Sequence, residues 1–469
     1  MLQQEPVKPD QSGRRLMSLG QFVFIAFFLT CGGPFGLESA VQAGGIAATI
    51  GGLVLLPLIW SIPQSLMTAE LSSMMSVNGG SLVWVWRGLG TCAGVANAYN
   101  SLSSALVDIC LYPNLIVDYI PLQLGKLQLY LLKVAILVLV TICNVIGLNV
   151  VGLASLLLMI VSLSVFVVEL PFALPMIGSV SFLQTPAQIN WAELSAVLLW
   201  SSTGWDALGN FAGEVKNPTR TYPIGIALAM LAGMIAYIFP LLVSYMLLPD
   251  PAAWKSNAFL LAAEKATGPG SWLVIWVVIA AMLANLGQLL AGMAATSRLM
   301  WAMGACNKDE GIQMRTLPKT LGYIWPRFET PVVALIVQLL ITSVLAIWDF
   351  STLVQVLALL NCVRLSLEFA AFIVLKYRDP TAPRPFAVPF GLAGAWAITG
   401  IKVAVLSFVI IWITIDAPVV ASISLAVNVV IVIAASFLGG PDCSPCVGQG
   451  IVLNDDEDDL KASVPAVCC

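Results

Sequence analysis

Long apolar runs separated by short polar stretches dominate the hydropathy pattern from residue 17 to residue 438. Most runs have about 20 residues, the length at which a helix crosses the hydrocarbon core of a bilayer. The pattern therefore predicts an all-α polytopic membrane protein with twelve transmembrane helices. The predicted segments, numbered 1 to 12, cover residues 17–42, 46–74, 89–117, 128–147, 151–175, 194–213, 223–248, 270–303, 331–348, 352–375, 393–414 and 416–438.

Glycines interrupt two of these segments at corresponding places. Segment 1 breaks at Gly32-Gly33-Pro34, and segment 6 breaks at Gly204. The second break follows five segments after the first, so the second unit starts with the opposite topology. We expect two inverted five-helix repeats with helices 1 and 6 broken, plus two extra helices. The expected parts are a tail (1–16), the first repeat (17–175), the second repeat with its loops (176–390), helices 11 and 12 (391–438) and an acidic tail (439–469).

Lysine and arginine are distributed unevenly between the two sides of the predicted membrane. With the amino terminus inside, the cytoplasmic regions hold fifteen of the 21 basic residues and the outer loops hold four. The remaining two, Arg364 and Lys402, lie within predicted spans. Cytoplasmic loops carry the excess of positive charge in membrane proteins, so both termini are expected in the cytoplasm. The plasma membrane is the expected location.

Composition argues against several classes of function. The chain is 59% hydrophobic and 10% charged, whereas a soluble domain has about 25% charged residues. It contains no histidine, the commonest metal ligand and the usual proton carrier at neutral pH. The sequence also has neither a nucleotide-binding loop nor a soluble catalytic domain. We expect no enzyme activity, no cofactor, no metal and no nucleic-acid partner.

Several short motifs are spread along the chain from residue 32 to residue 389. They are Gly32-Gly-Pro-Phe-Gly-Leu-Glu38, Trp60-Ser-Ile-Pro63, Thr68-Ala-Glu-Leu71, Asn78-Gly-Gly80, Val83-Trp-Val85, Val107-Asp-Ile-Cys-Leu-Tyr-Pro113, Trp205-Asp206, Ala212-Gly-Glu-Val-Lys-Asn-Pro218, Tyr222-Pro223, Leu367-Glu-Phe369 and Arg384-Pro-Phe-Ala-Val-Pro389. Together they resemble the amino acid–polyamine–organocation superfamily, and more closely the polyamine uptake permeases of plants and trypanosomatid parasites. The resemblance implies two inverted five-helix repeats and a central site between segments 1, 3, 6, 8 and 10. It also implies import of di- and polyamines, commonly driven by protons.

The break in segment 1 is followed closely by an acidic residue. In superfamily members that bind amino acids, the helix amides after this break receive the substrate carboxylate. Glu38 would repel a carboxylate there, and Pro34 removes an amide donor. The break therefore favours a cationic ligand, and Gly33, Phe35 and Glu38 are predicted to bind it. Alternatively, Glu38 only caps the half-helix.

The break in segment 6 places a carboxylate at membrane depth, where a charge is tolerated mainly beside protein or a water-filled cavity. Asp206 can pair with an ammonium group, and the neighbouring indole of Trp205 can hold the same cation. Related exchangers carry an acidic gating residue at the matching position. We predict that Trp205, Asp206 and Asn210 bind substrate and that Asp206 is a candidate for proton coupling. The alternative for Asp206 is a structural hydrogen bond to the unwound backbone.

Segment 3 carries a second carboxylate, Asp108, four residues before Tyr112 and thus on the same helix face. The resembled permeases share this Asp…Tyr-Pro pattern. A second carboxylate suits the second ammonium group of a diamine, so both residues are predicted to bind substrate. Alternatively, Asp108 lies near the outer membrane surface and is solvated.

Two glutamates lie in later spans. A buried carboxyl group favours its protonated form, so Glu169 in segment 5 is a second candidate for proton coupling. It could equally pair with Arg364 or Lys402. Glu368 lies four residues after Arg364 and forms an i,i+4 pair, which makes it either a cation ligand or half of a structural ion pair.

Two other glutamates, Glu70 and Glu214, are expected near the cytoplasmic ends of segments 2 and 6. Lys216, Arg220 and Arg298 are expected on the same side. The group suggests an inner gate of ion pairs. The alternative, slightly favoured, is that these charges are solvated at the membrane interface.

The sequence thus predicts a secondary active transporter that imports polyamines such as putrescine, cadaverine and spermidine. Its expected partners are a small cationic amine, protons and the lipid bilayer. The main alternative is a transporter or exchanger of cationic or neutral amino acids; another is a receptor that binds amines without moving them. Heteromeric exchangers use a cysteine between segments 3 and 4, and residues 118–127 contain none. No heavy-chain glycoprotein is therefore expected.

Overall fold

A computed structural model of the chain describes residues 17–31, 33–75, 80–120, 124–146, 149–212, 215–304, 316–326, 328 and 330–438. These residues form α-helices joined by turns and short loops. The helices are α1 (Leu19–Thr30), α2 (Glu38–Leu56), α3 (Ile62–Met74), α4 (Ser81–Leu89), α5 (Thr91–Asp118), α6 (Lys126–Ile146), α7 (Asn149–Ala173), α8 (Trp191–Trp200), α9 (Pro218–Leu247), α10 (Ala258–Thr267), α11 (Trp272–Gly304), α12 (Val332–Leu345), α13 (Phe350–Arg378), α14 (Gly391–Asp416) and α15 (Pro418–Leu438).

Within the described residues, seven helical stretches are long and apolar enough to cross a membrane. Several apolar helices form the outer surface of the helix bundle and expose branched side chains. Leu131 on α6 is 55% exposed, Val344 on α12 is 64% exposed and Ile415 on α14 is 63% exposed. Apolar surface on this scale requires an apolar solvent, so the chain is an integral multi-pass membrane protein. The seven stretches are Glu38–Met74, Lys126–Ile146, Pro218–Leu247, Trp272–Gly304, Phe350–Arg378, Gly391–Asp416 and Pro418–Ala435.

Helix α5 has the opposite distribution of polarity. It has 28 residues and is buried along most of its length by neighbouring helices. Its interior side chains include Asn97, Asn100 and Ser104, all of them buried. Polar groups inside a membrane protein face protein or cavity rather than lipid, so α5 lies at the centre of the bundle.

The first break separates α1 from α2. Gly33 and Gly36 both adopt positive φ, at +121° and +104°. Helix α2 then begins at Glu38 and contains a second interruption at Gly45, where φ is +81°. The part of α2 after Gly45 continues through a π turn (Pro57–Ser61) into α3.

The second break follows α8, and it packs directly against the first. Gly204 has φ of +100° and precedes a 3-10 turn (Trp205–Phe211). A Cβ atom on Gly204 would lie 2.5 Å from the backbone oxygen of Leu29, at the end of α1. The hydroxyl of Tyr237, on α9, lies 3.0 Å from the carbonyl oxygens of both Cys31 and Ser201. The Tyr237 hydroxyl is therefore a hydrogen-bond donor for carbonyl oxygens at both breaks, where helical hydrogen bonds are missing.

Two short helices occupy regions that the hydropathy pattern leaves as loops. Helix α4 buries Leu82, Val83 and Trp84 against its neighbours. Helix α10 buries Phe259 and Leu260 in the main core. Both are too short to give a membrane-spanning signal, and tertiary packing of their apolar faces stabilises them.

We expect Gly204→Ala to lower the free energy of unfolding by about 3 kcal/mol, because it combines an unfavourable φ with a backbone clash. Gly400→Ala is the matched control, since nothing lies within 4 Å of a Cβ on this helical glycine. The melting temperatures of the two purified variants in detergent measure the difference. Equal melting temperatures would show that the break tolerates a side chain.

Candidate functional site

A cavity of about 180 Å³ lies where the two breaks meet α5, α11 and α13. Along α5 its wall runs from Ala98 to Tyr112, which is about 21 Å at the helical rise per residue. The cavity therefore extends along α5. Its polar wall residues are Thr30, Ser81, Ser101, Ser104, Asp108, Tyr112, Trp200, Ser201, Thr203, Asp206, Tyr237, Gln288, Thr296, Asn361 and Arg364.

Asp108 lies on this wall, partly exposed to the cavity. Its Oδ1 accepts a hydrogen bond from Trp200 Nε1 at 2.9 Å, and its Oδ2 accepts one from the hydroxyl of Tyr112 at 3.1 Å. The centroids of the two aromatic rings lie 6.4 Å apart. In the described part of the chain, no lysine or arginine forms an ion pair with Asp108. The carboxylate thus faces the cavity between two aromatic rings.

Asp206, in the 3-10 turn, also lies on the cavity wall and is 5% exposed. The guanidinium of Arg364, on α13, pairs with it. Gln64 Nε2, on α3, donates a second hydrogen bond to Asp206 Oδ1 at 2.5 Å. Asp206 therefore has a cationic and a neutral partner, a pairing that local sequence does not reveal.

Arg364 also contacts its own helix. Its Nη1 lies 3.1 Å from Glu368 Oε1, which is the expected i,i+4 ion pair. Its Nη2 donates to Asn361 Oδ1 at 3.1 Å. Glu368 is fully buried behind Arg364 and is not part of the cavity wall.

The polar network continues away from the cavity to a buried lysine. Lys402 Nζ, on α14, donates to Gln64 Oε1 at 2.9 Å and to the carbonyl of Trp60 at 3.2 Å. It lies 3.2 Å from the centroid of the Trp60 ring, a cation–π contact. Sequence reasoning missed Gln64 and Trp60 as partners. The available signal was the pair of polar residues, Gln64 and Lys402, within otherwise apolar segments.

The structure places the predicted residues of the first break outside the cavity wall. Glu38 is fully buried, accepts a hydrogen bond from the Gly36 amide at 2.5 Å, and accepts another from the hydroxyl of Tyr119. Both partners lie outside α2, in the turn before it and at the end of α5. Phe35 packs against three aromatic rings, those of Tyr119, Phe166 and Phe259.

The side chains of Trp205 and Asp206 lie in different places: Asp206 lines the cavity, whereas Trp205 does not. Trp205 is buried, and its Nε1 donates to the carbonyl of Ser202 at 3.0 Å. The indole on the cavity wall belongs to Trp200. The side chain of Asn210 lies outside the described part of the chain, as do all atoms of Gly32.

Glu169 does not pair with Arg364 or Lys402, which corrects one of its two expected roles. Its Oε2 accepts a hydrogen bond from Ser244 at 3.0 Å, while both cations have other partners. Glu169 is fully buried. Among the described residues it has no cationic partner.

The expectation of solvated charges is wrong for Glu70, which is fully buried at the end of α3. Its Oε1 lies 2.7 Å from Lys376 Nζ and 2.9 Å from Arg384 Nε. Its Oε2 accepts the amide of Val388 at 2.7 Å. These contacts fasten the α13–α14 connection onto α3. The other proposed gate carboxylate, Glu214, lies outside the described residues.

A multi-pass membrane bundle with two interrupted helices meeting at a buried polar cavity has the architecture of a transporter. Residues 22–437 match the amino acid permease family. The chain belongs to this family, part of the amino acid–polyamine–organocation superfamily, and is a membrane transporter rather than an enzyme.

The curated relatives include plant polyamine transporters. The chain is 33% identical to the polyamine transporter PUT1 of Oryza sativa subsp. japonica, over 92% of this chain and 80% of the relative. It is 31% identical to the polyamine transporter RMV1 of Arabidopsis thaliana, over 82% and 81% respectively. A human cystine/glutamate transporter is 28% identical over 45% of this chain and 40% of that protein.

We expect Glu70→Gln to lower the free energy of unfolding by about 3 kcal/mol, because it leaves two cations, whose side chains are only 9% and 11% exposed, without their carboxylate. Asp379→Asn is the control. It removes the partner of Arg87 in an ion pair whose side chains are 28% and 37% exposed, which costs about 1 kcal/mol or less. Thermal melting of both variants in detergent tests this order, and a larger loss from Asp379→Asn would contradict it.

Proposed function

We propose that the protein imports di- and polyamines across the plasma membrane by proton-coupled alternating access. In this proposal twelve helices cross the membrane as two inverted five-helix repeats plus two, with both termini in the cytoplasm. The observation that carries the substrate class is the position of Asp108 on the cavity wall between Tyr112 and Trp200.

An ammonium group loses several kcal/mol of hydration when it enters such a cavity. Asp108 supplies a full negative charge without a competing ion pair among the described residues. The rings of Tyr112 and Trp200 can add cation–π attraction. The site therefore compensates the desolvation of one ammonium group.

The cavity shape and a second carboxylate support a linear polycation. The wall extends about 21 Å along α5, and Asp206 lines the same cavity. A flexible diamine can place one ammonium group at Asp108 and reach Asp206 with the other. The relatives named as polyamine transporters cover most of this chain, which supports the same substrate class.

A transporter of amino acids is the second candidate. The observation in its favour is Arg364, because a guanidinium on the cavity wall can receive a substrate carboxylate. The relatives named for amino acids support this reading over less than half of the chain. Competition of polyamine uptake by excess arginine, leucine or glutamate separates the two candidates.

In the proposed cycle, rocking of the repeats about the two breaks alternates access to the cavity. The cluster around Glu70 holds the α13–α14 connection against α3 on the expected cytoplasmic side. Two carboxyl groups are candidates for carrying the coupled proton. Asp206 lies on the cavity wall, and Glu169 is buried without a cationic partner in the described part of the chain.

Asp108→Asn should raise the KM for putrescine and spermidine by about tenfold to a hundredfold, because a charge-assisted contact is worth roughly 1.5–3 kcal/mol. Uptake of the labelled amines into cells without their own carrier measures the change. Asp118→Asn is the control, since this exposed carboxylate lies on the same helix outside the cavity wall. An unchanged KM in Asp108→Asn would remove the proposed ammonium site. Robust uptake of amino acids with none of polyamines would reject the function.

Glu169→Gln keeps a hydrogen-bond acceptor for Ser244 but removes the titratable group. If Glu169 carries the coupled proton, uptake by this variant will no longer respond to an uncoupler or to the outside pH. Glu264→Gln, in α10, is the control and should respond like the wild type. Full uncoupler sensitivity in Glu169→Gln would exclude Glu169 and leave Asp206 as the candidate.

A further inference from the structure

The guanidinium of Arg364 is the only arginine or lysine group on the described cavity wall. It is 7% exposed and bridges the broken segment to α13. On the broken segment it pairs with Asp206. On its own helix it contacts Glu368 at 3.1 Å and Asn361 at 3.1 Å.

The acceptors of Arg364 differ in whether a substrate in the cavity can reach them. Glu368 lies behind Arg364, away from the cavity wall. Asp206, in contrast, lines the cavity beside Arg364, so an arriving ammonium group can take the place of the guanidinium there. If Arg364 releases Asp206, it keeps a carboxylate and an amide oxygen on its own helix. The exchange of partners leaves no charge unpaired.

The same pairing matters when no amine is bound. A buried carboxylate without a cation is strongly unfavourable, so closing the protein around Asp206 alone would have a high barrier. Gln64 donates one hydrogen bond to Asp206 but supplies no charge. Arg364 supplies the charge, and it is covalently part of the protein, so it is present in every cycle.

We propose that Arg364 is a tethered cation that occupies the ammonium subsite at Asp206 between transport cycles, yields it to the substrate amine, and allows the substrate-free carrier to reorient. This inference rests on the proposed transport of amines. It assigns Arg364 as a positioning residue for the return step, distinct from its possible contact with a substrate carboxylate.

Two transport modes separate this role from a structural one. Net uptake into vesicles without internal substrate requires the return of the substrate-free carrier, whereas exchange of internal for external amine does not. In proteoliposomes containing the full chain and labelled putrescine, Arg364→Gln should lower the ratio of net uptake to exchange by at least about tenfold. Arg364→Lys keeps a cation and should bring the ratio back toward that of the wild type.

Lys133→Gln is the matched control. Lys133 is a half-buried cation that, like Arg364, donates to an amide oxygen, that of Asn114 at 2.6 Å, but it lies outside the cavity wall. Its substitution should leave the ratio unchanged. All rates are normalised to the amount of protein in the vesicles.

The triple variant Asp206→Asn/Arg364→Gln/Glu368→Gln keeps the test decisive if Arg364→Gln alone does not fold, because it also removes the buried carboxylate that Arg364 would leave unpaired. With all three charges removed, reorientation no longer needs a cation, so its ratio, measured without a proton gradient, should match that of the wild type. A ratio far below the wild type in this variant would overturn the proposal. Equal losses of net uptake and exchange in Arg364→Gln would overturn it as well.

The result is separable from the choice of substrate class. If the wild type carries amino acids and no polyamines, the proposed function fails. The ratio is then measured with the labelled amino acid that the wild type does carry. An unchanged ratio in Arg364→Gln would reject the tethered cation even where polyamine transport is confirmed.

Discussion

The ion pair between Asp206 and Arg364 is the interaction on which the central part of the structure depends. A carboxylate in an unwound segment inside a membrane bundle needs both a charge and hydrogen-bond donors, and neither lipid nor apolar side chains supply them. The protein meets the need with residues from separate helices. Removing one member leaves its partners as buried polar groups without compensation. The connected side chains are Lys402 on α14, Gln64 on α3, Asp206 in the 3-10 turn, and Arg364 and Glu368 on α13.

The two cavity carboxylates therefore have different electrostatic states. Asp108 is held in place by neutral donors and keeps its charge available, whereas Asp206 is neutralised by a cation of the protein. The local part of this arrangement follows from sequence, because residues four apart share a helix face. Both the Asp108–Tyr112 contact and the Arg364–Glu368 pair obey that rule. The glycine interruptions could also be predicted from the sequence, because the positive φ at Gly204 is a value that favours glycine.

The remaining part of the site could not be predicted from the sequence because it depends on contacts between distant helices. Asp206 and Arg364 are 158 residues apart, and Glu70 and Lys376 are 306 apart. Periodicity gives the face of each helix but not the neighbour that the face meets. The direction of a side chain in an unwound segment has no period at all. For that reason the indole on the cavity wall comes from Trp200, at the end of a regular helix, and not from Trp205.

The contact between Gly204 and the end of α1 has a consequence for how this sequence can change over evolutionary time. The atom nearest to a new Cβ at position 204 is the backbone oxygen of Leu29, which every amino acid carries. No substitution at position 29 can therefore make room, and the two positions cannot compensate for each other. Position 29 is free to vary in size and polarity within its own packing limits. Related sequences should then show an invariant glycine beside a variable neighbour, a contact between the breaks that covariation between positions does not detect.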